Sequence, residues 1–365
     1  MKASDLIVQC LENEGVRYVF GLPGEEILDI LDSLLGSSIT FIPTRHEQGA
    51  AFMADAYGRL TGRAGVCLST LGPGATNLAT GVADANLDRA PLVAITGQAG
   101  RDRVHKESHQ RIDIVEHLRP LTKWNTHVET SAVIPEVIRK AFKLAEAEKP
   151  GACHLEVPED VAAEMVEGTP LSTERPRRPS PDRQALQTAA RLIEGASFPL
   201  IFAGNGVIRG GASKELRELA RSHGIPVAHT FMAKGCMPYD DELSLLSAGL
   251  QARDYISCGF DKADVIIAVG YDPVEYAPKF WNPDRKKPII HIDFTPAEVD
   301  SFYQPVVEVV ADVREALELL NDMVKGEKDP SPYLELRRLI LEDLEEGAED
   351  QTFPLKPQHI LRELR

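Results

Sequence analysis

Cysteine is scarce in this chain, and its spacing is uninformative for metal or disulfide chemistry. Five residues (Cys10, Cys67, Cys153, Cys236 and Cys258) are scattered over 365 positions, odd in number and never in a Cys-x-x-Cys pair. That pattern argues against structural zinc and a disulfide framework, and it fits a reducing cytoplasm. Cys67, inside an apolar run, is expected to be a buried core thiol. Positive charge is also in the minority, with 40 Lys and Arg against 56 Asp and Glu and a net charge of −16. Such a chain is not expected to bind nucleic acid nonspecifically or to lie on an anionic membrane. No apolar run is long enough to cross a bilayer, and Met1-Lys2-Ala3-Ser4-Asp5 leads straight into an amphipathic helix, so neither a span nor a signal peptide is expected. Walker, His-Glu-x-x-His and Gly-x-Ser-x-Gly patterns are missing too, which removes the commonest rival chemistries.

What is present is a series of strands that end in glycine, hydroxyl, amide and one acid. Tyr18-Val19-Phe20 runs into Gly21-Leu22-Pro23-Gly24, and an apolar run ending at Pro43 is followed by Arg45-His46-Glu47-Gln48-Gly49-Ala50-Ala51. Val66-Cys67-Leu68-Ser69 leads through Thr70-Leu71 to Gly72-Pro73-Gly74-Ala75-Thr76-Asn77, and Leu92-Val93-Ala94-Ile95 ends at Thr96-Gly97-Gln98. In an open α/β sheet such strand ends share one rim, which is where ligands bind. Taken alone, Glu47 reads equally as a helix cap, a salt-bridge partner or a ligand-facing carboxylate. Its company favours the last.

The alternation of helix and strand predicts an α/β protein of two doubly wound parallel-sheet domains. The first covers residues 1–168, with helices over 5–14, 27–35 and 133–148 and a last strand at Ala152–Val157. Prolines 170, 176, 179 and 181 mark a semi-rigid linker over 169–182. The second domain, 183–326, carries strands at Leu200–Ala203, Val227–Thr230, Val265–Val269 and Ile289–Asp293, and helices over 213–223 and 313–323. Residues 327–365 read as a linker helix followed by the opening of a further helix with Pro357 at its start.

Two loops admit two readings each. Gly204-Asn205-Gly206-Val207-Ile208-Arg209-Gly210 follows a strand as a dinucleotide loop would, but Arg209 stands where that fingerprint needs Gly or Ala, so a plain tight turn is the rival. His105, Lys106, Glu107, His109 and Gln110 crowd one segment; it is a poor metal site, and it reads as a solvated loop or as a binding loop.

The glycine and strand-end motifs, with Ala54-Asp55-Ala56-Tyr57-Gly58-Arg59, His109-Gln110 and Thr122-Lys123-Trp124, resemble the thiamine-diphosphate-dependent acetolactate synthase family along the whole chain. The resemblance implies a pyrimidine-binding thiamine-diphosphate domain followed by a Rossmann-like middle domain. It implies an enzyme that condenses two pyruvates to 2-acetolactate and CO₂, in branched-chain amino acid biosynthesis or acetoin formation. Glu47 would be catalytic, hydrogen-bonded to the pyrimidine nitrogen, while Pro23, Gly24, Thr70, Pro73 and Asn77 would line the cofactor pocket. His109 would meet the substrate carboxylate, and Gln110 would contact both substrate and reacting cofactor. In this family the diphosphate and Mg²⁺ are held by a Gly-Asp-Gly…Asn motif in a third domain. No such motif occurs in these residues, so the chain is expected to be partial, inactive by itself and without its own metal site. Biosynthetic members carry Gly-Met-His-Gly and Arg-Phe-Asp-Asp segments in this domain, where this chain reads Ser247-Ala248-Gly249-Leu250 and Gly270-Tyr271-Asp272-Pro273-Val274-Glu275-Tyr276. The latter, with Phe280-Trp281-Asn282, resembles the catabolic, flavin-independent branch and weighs against FAD. A homodimer or homotetramer is implied, since another subunit completes the pocket; a regulatory subunit, and another 2-oxo acid in place of pyruvate, stay open. So do a different thiamine-diphosphate-dependent decarboxylase or carboligase and a non-catalytic module.

Overall fold

A computed structural model describes residues 1–174, 177–249 and 255–364. The chain divides into two compact units, Met1–Arg177 and Arg178–Arg365.

The first unit is built on six parallel strands: β1 Tyr18–Gly21, β2 Thr40–Pro43, β3 Gly65–Ser69, β4 Leu92–Gln98, β5 Trp124–His127 and β6 Ala152–Pro158. Their order in the sheet is β2-β1-β3-β4-β6-β5. Every residue of β3, β4 and β6 is buried, as expected of strands covered on both faces. One face packs Leu6, Ile7 and Leu11 of the helix Ala3–Asn13 against Ile138 and Phe142 of the helix Ile134–Glu146. The other face packs Ala50, Ala51 and Ala54 of the helix Glu47–Thr61 with Val82 and Ala85 of the helix Ala79–Leu87. These two helices approach closely because their contact residues are small. A Cβ on Gly81 would lie 2.6 Å from the Ala51 Cβ.

The second unit has β7 Pro199–Ala203, β8 Val227–His229, β9 Ser244–Ser247, β10 Val265–Val269, β11 Ile289–Asp293 and β12 Val307–Val310. The order β12-β11-β10-β7-β8-β9, all parallel, is that of a Rossmann-like sheet. Its core on one side is aliphatic. On the other, Phe202, Phe260, Tyr271, Trp281 and Tyr303 form an aromatic cluster, joined by Tyr333, Leu336 and Ile340 of the helix Ser331–Glu345.

The expected α/β class with two parallel sheets is what the chain adopts. The sequence reading omitted edge strands β5, β9 and β12 and the helix Arg183–Gly195, and it ran the helix at 134 two residues beyond Glu146. Cys67 is fully buried. Among the described residues, no helix is long and apolar enough to cross a membrane.

Candidate functional site

In the first sheet β1 lies between β2 and β3, so successive connections leave β1 in opposite directions and open a crevice at the carboxyl ends of these strands. Three segments meet there. After β1 the chain passes Pro23 and Gly24 into a 3₁₀ turn, Glu25–Ile27. After β2, Thr44 is tied back to β1 by its N–H to Gly21 O at 2.8 Å, and His46 caps the helix Glu47–Thr61 by accepting from Gln48 N at 3.1 Å. Glu47 thus occupies the first helical position, where the helix dipole favours an acid. After β3, Gly72 takes φ +54° and Pro73 opens the short helix Pro73–Asn77.

Glu47 is buried, 6 % exposed, and its Oε2 accepts from Asn77 Nδ2 at 3.0 Å. Its Oε1 would lie 3.4 Å from a Cβ on Gly74, and the same Cβ would be 2.8 Å from Thr70 Cγ2. A Cβ on Gly24 would be 2.5 Å from Thr70 Cβ. Glu47, Asn77, Gly74, Thr70 and Gly24 therefore form one continuous group. Pro23 and Pro73 are exposed at the strand end and the helix start. Gln110 reaches this group through its backbone: its carbonyl oxygen fills the space a Gly72 Cβ would need. His109 is exposed, with no hydrogen bond or ion pair to the group.

Sequence reasoning missed Glu26, whose Oε2 accepts from Thr70 Oγ1. The signal was present in the Gly24-Glu25-Glu26 turn, but nothing in the local pattern says which of the two acids turns inward. The buried Gln98, Glu156 and half-buried His127 were missed as a set. Gln98 Nε2 donates to Glu156 Oε1 at 2.9 Å, and His127 Nδ1 to Glu156 Oε2 at 2.6 Å. Nearby, burial pushes His154 down to about 3, so it is a neutral core imidazole bonded to Thr96 Oγ1.

A flat heteroaromatic ring with a hydrogen-bonding nitrogen suits the residues of the first crevice. A buried carboxylate has one oxygen held by Asn77, and beside the other lies Gly74, which has no Cβ. Among the described residues, no three His, Cys, Asp or Glu side chains are grouped to hold a metal ion.

The corresponding crevice of the second sheet lies between β7 and β10. Gly204-Asn205-Gly206 makes a tight turn against Gly270 (φ +56°): a Cβ on Gly206 would lie 2.6 Å from Gly270 Cα. Both oxygens of Glu275 accept from Asn205 N at 3.1 Å, and Oε2 also accepts from Thr230 Oγ1. Burial raises the Glu275 carboxyl to about 7. Tyr271 and Trp281 are buried beside Phe202, with the indole N–H donating to Tyr271 Oη at 3.2 Å. Ser247 closes β9; Leu250 lies outside the described residues.

These two all-parallel sheets, each with a crevice at the carboxyl ends of its strands, define a class. Residues 1–117 match the N-terminal TPP binding domain of the thiamine pyrophosphate enzymes and residues 186–320 match their central domain; the chain belongs to that family. Within it, the chain is similar to acetolactate synthases. It is 37 % identical to a probable acetolactate synthase large subunit of Methanocaldococcus jannaschii, with all of this chain and 63 % of that protein covered. It is 35 % identical to the acetolactate synthase of Bacillus subtilis and 36 % identical to the large subunit of Corynebacterium glutamicum, over 100 % of this chain and 65 % and 60 % of theirs. The chain thus spans less than two thirds of the length of these relatives.

Proposed function

We propose that these units belong to a cytoplasmic acetolactate synthase-like carboligase that converts two pyruvates to 2-acetolactate and CO₂. The observation that carries this reading is the buried Glu47 carboxylate, held by Asn77 and bordered by Gly74 at the crevice of the first sheet. Thiamine diphosphate, when bound, supplies the nucleophilic carbon and the electron sink that decarboxylation of a 2-oxo acid requires. Glu47 would share a proton between its oxygen beside Gly74 and the pyrimidine nitrogen. Asn77 fixes the carboxylate plane by donating to the other oxygen. Thr70, Gly24, Pro23 and Pro73 shape the pocket wall, while Gln110 and His109 face the substrate.

The diphosphate and its Mg²⁺ belong, in this reading, to a further domain, since no Gly-Asp-Gly…Asn pattern lies in these residues. Another subunit of a homodimer or homotetramer completes the pocket. In this reading the second unit carries no flavin; Glu275 supports that by placing a carboxylate on the Asn205 amide that a dinucleotide phosphate would need. The five free cysteines, four of them buried, suit a reducing compartment.

The test is Glu47→Gln in the complete protein. Hydrogen exchange at the reactive carbon of bound cofactor should slow by about 10²–10⁴-fold, the range of acid–base contributions, with the circular dichroism unchanged. Exchange at the parental rate would remove Glu47 from its role. Product analysis with pyruvate alone separates 2-acetolactate formation from another decarboxylation or ligation.

A further inference from the structure

The segment that carries Gln110 is exposed, yet it is pinned at defined points. Arg111 N donates to Ser108 O at 3.2 Å and closes a turn in which Gln110 takes φ +54°. One side of the turn rests on Gly72 through the Gln110 carbonyl. The other side is held at Ile112, whose carbonyl accepts from Gln98 Nε2 at 3.0 Å.

Gln98 is 2 % exposed at the end of β4, and every polar function of its amide facing these groups is used. Its Oε1 accepts from Ala99 N at 2.9 Å, and its Nε2 donates to both Ile112 O and Glu156 Oε1. Chemistry fixes this orientation, since the carbonyl and carboxylate are acceptors only and the Ala99 amide is a donor only. Glu156, 5 % exposed on β6, stands in register with His127 of β5 and takes the imidazole N–H on its second oxygen. Three neighbouring strands thus supply a chain of donors and acceptors that ends on the backbone two residues from Gln110. The set is too buried and too fully paired to be a surface network.

We propose that Gln98, oriented by Glu156 and through it by His127, is a positioning residue that fixes the Gln110 turn against Gly72. The functional weight of this clamp rests on the reading of Gln110 as substrate-facing; its mechanical part does not. Gln98→Met keeps the side-chain length and removes the donor to Ile112. Hydrogen exchange of the amides over 109–113 should then accelerate about tenfold, the equivalent of one lost hydrogen bond to a partly charged network, with the helix Glu47–Thr61 unaffected. Glu156→Gln, isosteric and with one acceptor fewer, should raise the same amides' exchange by a smaller factor.

The double variant Gln98→Glu with Glu156→Gln is the sharper test. It exchanges the two functional groups: an amide on β6 would donate to a carboxylate on β4 and accept from His127. The link between the strands is restored, but Ile112 O has no donor. Melting should recover towards the parental value while exchange over 109–113 stays fast. Parental exchange in Gln98→Met, or protection regained in the double variant, would overturn the clamp. None of these measurements needs cofactor or substrate. The reading of Gln110 fails separately, if Gln110→Ala leaves the KM for pyruvate unchanged in the complete protein.

Discussion

The two sheets present the same chemical inventory at the same topological place and dispose of it differently. Each crevice has an acid, a threonine and glycines that let backbones approach. In the first, Glu47 is bonded by one side-chain amide and its other oxygen borders glycine. In the second, Glu275 is closed from within by the Asn205 N–H, shared between its two oxygens, and by the Thr230 hydroxyl. Buried polar groups demand partners, and a crevice whose acid is fully partnered by its own chain has little left to offer a ligand. A shared fold therefore marks where a ligand could sit, and in the proposed function the pairing of one carboxylate is what separates the ring-binding crevice from the other.

The largest expected difference between the crevices is in ligand affinity. Residues 1–365 should bind thiamine diphosphate at millimolar Kd or weaker, about 4 kcal/mol short of a micromolar site, because only the ring contacts lie in the first crevice. FAD should not saturate the second crevice at all, and the purified protein should be colourless. Calorimetry with cofactor and Mg²⁺, and a visible spectrum, check both. Tight Mg²⁺-dependent binding would place a diphosphate site inside these units, and stoichiometric flavin absorbance would undo the contrast.

Next in size is a pH effect confined to the second crevice. Burial raises Glu275 from 4.5 to about 7. Between those values the folded chain keeps a proton that the unfolded chain has lost, so this contribution is complete below pH 4.5 and is lost as pH rises through 7. The shift corresponds to at most roughly 3 kcal/mol. Urea midpoints at pH 5 and pH 8 should fall further in the parent than in Glu275→Gln. Equal falls would show that Glu275 does not titrate in this window.

The sequence made the buried strands readable for a physical reason. β3, β4, β7 and β10 are covered on both faces and spell continuous apolar runs, whereas edge strands β5 (Trp124–His127) and β12 (Val307–Val310) are half-exposed and mixed in composition. At the site, Gly24, Thr70, Gly74 and Asn77 were legible because a strand end followed by glycine is a local pattern. Glu26 with Thr70, and Gln98 with Glu156, were not, since their partners are 44 and 58 residues apart and only the sheet order brings them together.

The smallest contrast compares the two threonines. Thr70 and Thr230 each donate to a glutamate, and valine would preserve the shape of either while deleting the hydroxyl. Thr230 is fully buried, and its oxygen also accepts from Ala233 N at 3.2 Å, so Thr230→Val leaves a carboxylate and an amide short of partners in the interior. Glu26 is only half-buried, and water can replace Thr70. Since an unsatisfied buried group costs about 1–3 kcal/mol and an exposed bond about 1, Thr230→Val should destabilise the second unit by about 2 kcal/mol and Thr70→Val the first by about 1 or less. Denaturation followed by unit-specific hydrogen exchange reads the two costs separately. Equal costs would mean that the second crevice admits water as readily as the first, and its closure by Glu275 would no longer explain why one crevice suits a ligand and the other does not.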